Sequence, residues 1–290
     1  MSLLDRRDGI RVKNLDGVHS LFPHIKPLRC NSDVYINQTF DVTALVKYMD
    51  DVKKKDKETK LTYFHLFSTA IAKLVYNRPL LNRFVMNKSY YDRNEVKLSF
   101  VAKTEFNDAA EESLAVVKID GFDNLNVISQ KIAGVVKTIR SDSKRNSTDN
   151  TVNIVGKLPK ILKSLVWGVV TFLDHHDLLP ESMTNNSIYH STVLLSNLGS
   201  IKCNSIYHNL TNFGTCSILI AIGQIRKEQV LNEKGKMEVR DVCDFGINMD
   251  ERIADGYYFV KSLKYLEYLF NNPELLEGNA NDQIDFKKDN

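Results

Sequence analysis

The 290-residue sequence predicts an α+β fold in a single domain, with a mixed and largely antiparallel sheet. Three observations point there. Long stretches carry apolar residues at helical spacing, the last third is rich in segments that read as antiparallel strands, and neither an internal repeat nor a long linker divides the chain. With 43% hydrophobic and 26% charged residues, the composition is that of an ordinary globular protein able to bury a substantial core.

The elements follow in order. After a polar, irregular start, "SDVYINQTF" (32–40) alternates like a strand. Asp41 is placed to cap a helix whose apolar positions Val42, Leu45, Val46, Met49 and Val52 recur at helical spacing. Thr62 is placed to cap a second helix, "YFHLFSTAIAKLVYNRP", apolar almost all round and so predicted to be buried, with Pro79 just beyond its end. "EVKLSFVAK" (95–103) and "ESLAVVKI" (112–119) are strand-like, and the first carries Val96, Leu98 and Phe100 on one face. A helical stripe of Leu125, Ile128, Ile132, Val135, Val136 and Ile139 comes next, and "RSDSKRNSTDNT" (140–151) reads as a polar loop.

The most hydrophobic stretch is "LPKILKSLVWGVVTFLDHHDLLP" (158–180). Its uncharged core, Ser164 to Leu173, falls short of the roughly 20 apolar residues that a bilayer span needs. A buried or groove-lining helix is expected, with attachment to a membrane surface the lesser alternative. Beyond it, "STVLLSNLGS" (191–200), "TCSILIAIGQI" (215–225) and "MEVRDVCDFGINM" (237–249) read as strands, with a hairpin turn at "NEKG" (232–235). A closing helix places Phe259, Leu263, Leu266 and Phe270 on one face and ends before Pro273.

Composition excludes several classes of function. A net charge of +3, with lysine and arginine scattered among acids, gives no footprint for nucleic acid, and the basic run "KKKDKETK" (53–60) reads as a solvated helix end. Cys30, Cys203, Cys216 and Cys243 stand far apart, without the spacing of a metal site or of a disulfide framework. The N-terminus lacks the apolar core of a signal peptide, so a cytoplasmic location is expected.

Three features of the last third form a set: Ser196-Asn197-Leu198-Gly199, an apolar run ending in Gly223, and Asp250-Glu251-Arg252-x-x-Asp255-Gly256 followed by an amphipathic helix. In that order they resemble the catalytic domain of the dihydrolipoyl acyltransferases of 2-oxo acid dehydrogenase complexes and, more loosely, chloramphenicol acetyltransferase. Upstream, "FDVTALVKYMDDV" and "LTYFHLFSTAIAKLVYNRPLLNRFV" are similar to the family's strand-helix and helix-"P-x-L-N" units, so most of the chain is covered.

The resemblance implies a two-layer α/β sandwich of the chloramphenicol acetyltransferase kind. It implies a homotrimer with active sites between subunits, acyl-coenzyme A as co-substrate and no covalently bound cofactor. Carried onto this chain, Ser196 is the oxyanion donor, Asp255 a structural acid acting through an arginine, and Gly256 and Gly199 are turn residues. The family signature D-H-R-x-x-D-G has its base at the position occupied here by Glu251.

A free glutamate has a pKa about two units below that of histidine and is the weaker base near neutral pH, although burial can raise it. Three roles stay open for Glu251: a base, a group that binds a cationic acceptor, or a partner in an ion pair with Arg252 or another arginine. His208 is the alternative base, supplied across a subunit interface. His190, six residues before Ser196, would lie about 20 Å away in a continuous strand. His65 reads as a satisfied core group, and His175 and His176 as a helix end. Cys203 and Cys216 have no base at recognisable spacing.

The expected activity is that of a stand-alone acyltransferase moving an acyl group from coenzyme A to a small hydroxyl, amine or thiol acceptor. No lipoyl domain or subunit-binding segment is visible, so a working subunit of a dehydrogenase complex is not expected. The alternative is a catalytically inactive trimer serving as a scaffold or ligand-binding module.

Overall fold

The computed structural model describes residues 5–103, 112–141, 156–232 and 234–286. Apart from its first two residues, the loop expected at 140–151 lies outside them. The chain opens with β1 (Gly9–Arg11) and α1 (Gly17–Ile25), followed by β2 (Asp33–Asp41), α2 (Thr43–Lys55) and α3 (Tyr63–Asn77). A hairpin of β3 (Arg83–Met86) and β4 (Ser89–Arg93) leads to β5 (Val96–Lys103), β6 (Glu112–Ile119) and α4 (Leu125–Ser141). Then come α5 (Lys160–His175), β7 (Val193–Asn197), β8 (Ile218–Leu231), β9 (Met237–Asp250) and α6 (Gly256–Asn271).

Among the described residues the main sheet has six strands in the order β2-β9-β8-β7-β5-β6. β7 runs parallel to both its neighbours and every other pair is antiparallel, as the mixed, largely antiparallel prediction requires. On one face, Val193, Leu195, Ile218, Ile220, Phe245 and Ile247 pack under α2, α3, α4 and α6. Phe40, Phe67, Phe245 and Phe270 meet there at ring-centroid distances of 5.1 to 5.6 Å, mostly edge to face, the arrangement that aromatic quadrupoles favour.

Local chemistry explains most boundaries. Thr62 accepts a hydrogen bond from the His65 amide, and the His65 ring accepts one from the Thr62 amide, a reciprocal cap that starts α3. This satisfies His65 structurally, as expected. Asp41 does not itself cap α2: it is still paired with Val242 in the sheet, so Val42 takes the cap position while the Asp41 carboxylate accepts from the Thr43 amide at 2.9 Å. Gly235, with φ of 70°, sits in the β8–β9 turn.

Two expectations need correction. The supposedly irregular start and residues 83–93 build a second, three-stranded sheet, β1-β4-β3. Its hairpin turns at Asn87 and Lys88, both at positive φ, without the glycine that usually marks such a turn. Helix α5, expected to be buried or to line a groove, is not buried: Ile161 is 83% exposed, Leu165 65% and Phe172 57%, while the side with Trp167, Thr171 and His175 lines a cavity. It carries more apolar surface than its single contact face can cover. Among the described residues no helix is long and apolar enough to cross a membrane.

Candidate functional site

The end of β9 is held by a buried ion cluster. Arg252 donates from Nε and Nη2 to the two carboxylate oxygens of Asp250, at 2.8 and 2.7 Å, and from Nη1 to the carbonyl of Lys26 at 3.1 Å. Arg29 approaches the same carboxylate, Nε to Oδ2, at 3.8 Å and donates to the carbonyls of Thr211 and Gly214. All three side chains are almost fully buried, so the fork-to-fork geometry and the carbonyl partners must offset a large desolvation cost.

Glu251 follows immediately but turns outward. Its amide donates to the Ser32 carbonyl, and its half-buried carboxylate pairs with Lys26, the residue that ends α1. An ion pair was among the three roles left open, though its partner is a lysine rather than an arginine. Asp255 also differs from expectation. It is exposed and caps α6 by accepting from the Tyr258 amide at 2.7 Å, and the arginine foreseen for it belongs to Asp250. A β-carbon added at Gly256 would meet nothing within 4 Å, and the residue has no positive φ, so no tight turn demands glycine there.

Ser196 lies on the other face of the sheet. Val193 and Leu195 point into the helix-side core, so strand alternation turns Ser196 away from it. Just beyond, Leu198–Ile201 forms a tight turn closed by Lys202 at φ 58°. Gly199 is there for closeness: a β-carbon would stand 2.7 Å from the carbonyl oxygen of Gly223, so the first two motifs touch.

The segment from Cys203 to Leu210 crosses this open face. It lies so near that a β-carbon on Gly246 would stand 2.2 Å from the Ile206 carbonyl oxygen, and one on Gly223 2.8 Å from the Ser205 amide. Asn248 donates to the carbonyl of His208 at 2.6 Å and Tyr35 to the side chain of Asn209 at 2.8 Å. The His208 ring is left exposed. Cys203 is exposed as well, whereas Cys216 is buried.

The two ends do not meet within one protomer. Ser196 is in register with Ala221 and Ala221 with Gly246, while Glu251 lies five residues farther along and two strands across. At about 3.4 Å per residue, roughly 17 Å of sheet separates them along the strands. No single acyl carbonyl reaches both.

Several partners were not legible in sequence. Lys26 and Arg29 sit in an irregular stretch whose only signal is cations among apolar residues, which need acids from elsewhere. Asp174, at the end of α5, is buried with His190, whose Nε2 lies 2.9 Å from its Oδ1, and accepts from the Gly214 amide at 3.1 Å. His190 itself stands in a short 3-10 turn before β7, so it belongs to this structural pair and not to the strand. His175 and His176 mark the end of α5, as expected. Among the described residues no His, Cys, Asp and Glu cluster could hold a metal ion.

Two larger cavities flank the motifs, besides one of about 220 Å³ next to Asp255. One of about 950 Å³ lies beside Asn197 and Gly199 under Phe64, Phe67 and Val136, with Lys60 and Lys137 in its lining. The other, of about 320 Å³, lies between α5 and Arg252.

The backbone is similar to a probable dihydrolipoamide acetyltransferase from Listeria monocytogenes 4b F2365, with 18% identity, a TM-score of 0.58, and coverage of 91% of this chain and 95% of that one. It is similar to Azotobacter vinelandii dihydrolipoamide acetyltransferase (15%, 0.58, 91% and 93%) and to a chloramphenicol acetyltransferase (10%, 0.55, 90% and 99%). At these identities the likeness is one of fold, and it bears out the sandwich of the chloramphenicol acetyltransferase kind. In sequence, the chain is 24% identical over 221 residues to the lipoamide acyltransferase component of the Bacillus subtilis (strain 168) branched-chain alpha-keto acid dehydrogenase complex, matching 74% of this chain. It spans about two fifths (41%) of that relative's length. The model for the 2-oxoacid dehydrogenases acyltransferase catalytic domain matches residues 29–151 and 176–277, stopping short of all of α5. The chain belongs to the 2-oxoacid dehydrogenase acyltransferase catalytic-domain family.

Proposed function

We propose that the chain is a coenzyme A-dependent acyltransferase whose active site is completed between copies of itself in a trimer. The separation of Ser196 and Glu251 carries this reading: each is partly exposed, each belongs to a motif, and neither reaches the other in one protomer. Exposed apolar surface flanks both ends, with Val18, Leu21 and Ile25 of α1 and the open side of α5 near Glu251, and Ile201, Ile206 and Tyr207 near Ser196. Patches of this kind mark interfaces. The larger cavity, with apolar walls and two lysines, suits a thioester's pantetheine arm and phosphates; Ser196 faces the other side of the sheet, so the thioester end reaches it past Asn197 and Gly199.

In the assembled site the acceptor's hydroxyl, amine or thiol attacks the thioester carbonyl. The Ser196 hydroxyl of one protomer donates to the developing oxyanion, and the Glu251 carboxylate of its neighbour takes the acceptor's proton once Lys26 releases it. Collapse expels the coenzyme A thiol. Glutamate is the weaker base, so the reaction is slower than one run by a histidine.

A second reading is favoured by one observation, the Lys26–Glu251 pair, which holds the would-be base in a structural contact. On that reading the trimer binds its ligand without turnover. One assay separates them: release of free thiol from acetyl- and longer acyl-coenzyme A with small alcohol, amine and dithiol acceptors. The enzyme reading expects turnover that falls at least tenfold in Ser196→Ala and Glu251→Gln and rises about 100-fold or more in Glu251→His. Coenzyme A binding without thiol release would favour the inactive trimer. Absence of any coenzyme A binding would end the enzyme reading.

A further inference from the structure

The cavity of about 320 Å³ is built in part by a segment the family match does not reach. Trp167, Thr171 and His175 of α5 line one side and Leu28, Met86 and Phe213 supply apolar surface, with the Trp167 and Phe213 rings 5.0 Å apart. The charged groups in its lining, Arg29, Lys88 and Arg252, are all cations, set among the neutral Asn87 and Asn212. Arg29 and Arg252 share the one carboxylate of Asp250, and the Arg29 Nε is buried without a hydrogen-bond partner. Burial, and after it the neighbouring Arg252, press the Arg29 pKa down against the pull of Asp250.

The cavity also has polar groups to spare. Lys88, in the exposed β3–β4 turn, lines it and has no acidic or hydrogen-bonding partner among the described residues. The Thr171 hydroxyl likewise makes no hydrogen bond among the described residues, and the His175 ring lines the cavity beside Asp174. At about 30 Å³ for each water-sized group, the space holds roughly ten non-hydrogen atoms. That is too small for coenzyme A and right for a small organic acid.

We propose that this cavity binds a small hydrophobic monocarboxylate, with its apolar part against Trp167, Phe213 and Met86 and its charge toward Lys88 and the Arg29–Arg252 floor. The site stands apart from the acyl-transfer reading, since it requires neither turnover nor coenzyme A.

Trp167 is the chain's single tryptophan, so its fluorescence reports this cavity directly. Titration of the intact protein with 3-phenylpropionate is expected to give a saturable change. 3-Phenylpropionamide, of nearly the same shape but uncharged, is expected to bind about tenfold more weakly. Lys88→Gln lowers affinity for the acid several-fold and leaves the amide unaffected, while Thr171→Phe fills the space and removes the response to both. Lys88 is an exposed turn residue, so its variant keeps the test decisive should Thr171→Phe misfold. Equal affinity for acid and amide, an acid titration indifferent to Lys88→Gln, or no saturable change in the wild type would overturn the proposal.

Discussion

Asp250 and Glu251 are neighbours with opposite physics. Asp250 is fully buried between two arginines, so its replacement strands both cations without a counter-charge. Asp250→Asn is expected to lower stability by about 3–5 kcal/mol, measured by urea unfolding. Glu251 and Lys26 are each roughly a third exposed, and Glu251→Gln is expected to shift stability by less than about 1 kcal/mol in the same assay. A Glu251→Gln cost as large as that of Asp250→Asn would show that the glutamate is a structural group. Both residues stand out in the sequence as parts of a motif. Their partners do not, because Lys26 and Arg29 lie more than 220 residues earlier and only the folded chain joins them.

The helices and central strands were legible because their apolar residues keep periods that one buried face enforces, as in Leu45 and Met49 of α2 or Phe259 and Leu266 of α6. The short strands β1, β3 and β4 were not, since three to five residues with charged side chains carry no usable period. The burial of α5 was misjudged for a related reason: composition tells how apolar a helix is, not how much of it a neighbour covers.

Caps make sharper tests. Asp255→Ala should cost about 1 kcal/mol through loss of the α6 cap, with Asp255→Asn retaining most of it. A loss of several kcal/mol in both variants would instead restore the arginine-linked role first expected of Asp255. The join between α5 and β7 carries a pH signature. Burial raises the Asp174 pKa, but the contacts with His190, the Gly214 amide and Arg6 outweigh it and hold the carboxyl below its ordinary value. A depressed folded-state pKa means the stabilisation is complete above the unfolded value near 4 and is lost as pH falls through the lower folded value. Asp174→Asn should therefore flatten the acid limb of a stability-against-pH curve and leave its slope near neutrality unchanged.

For the molecule as a whole, the layered architecture was readable from motif order, and the comparison structures agree with it over nine tenths of the chain. What no single chain's sequence displays is that Ser196 and Glu251 stand two strands and five residues apart on the same sheet. Distance along the chain gives no hint of it, because two strand registers and a crossover set the separation. The measurement that decides whether they work together across an interface is complementation. Ser196→Ala and Glu251→Gln proteins would be mixed, dissociated, reassembled and assayed for thiol release from acyl-coenzyme A. A site built from two protomers predicts that the one-to-one mixture regains about a quarter of wild-type activity, since random assembly pairs an intact Ser196 with a neighbour's intact Glu251 that often. A mixture no more active than its two components would contradict it.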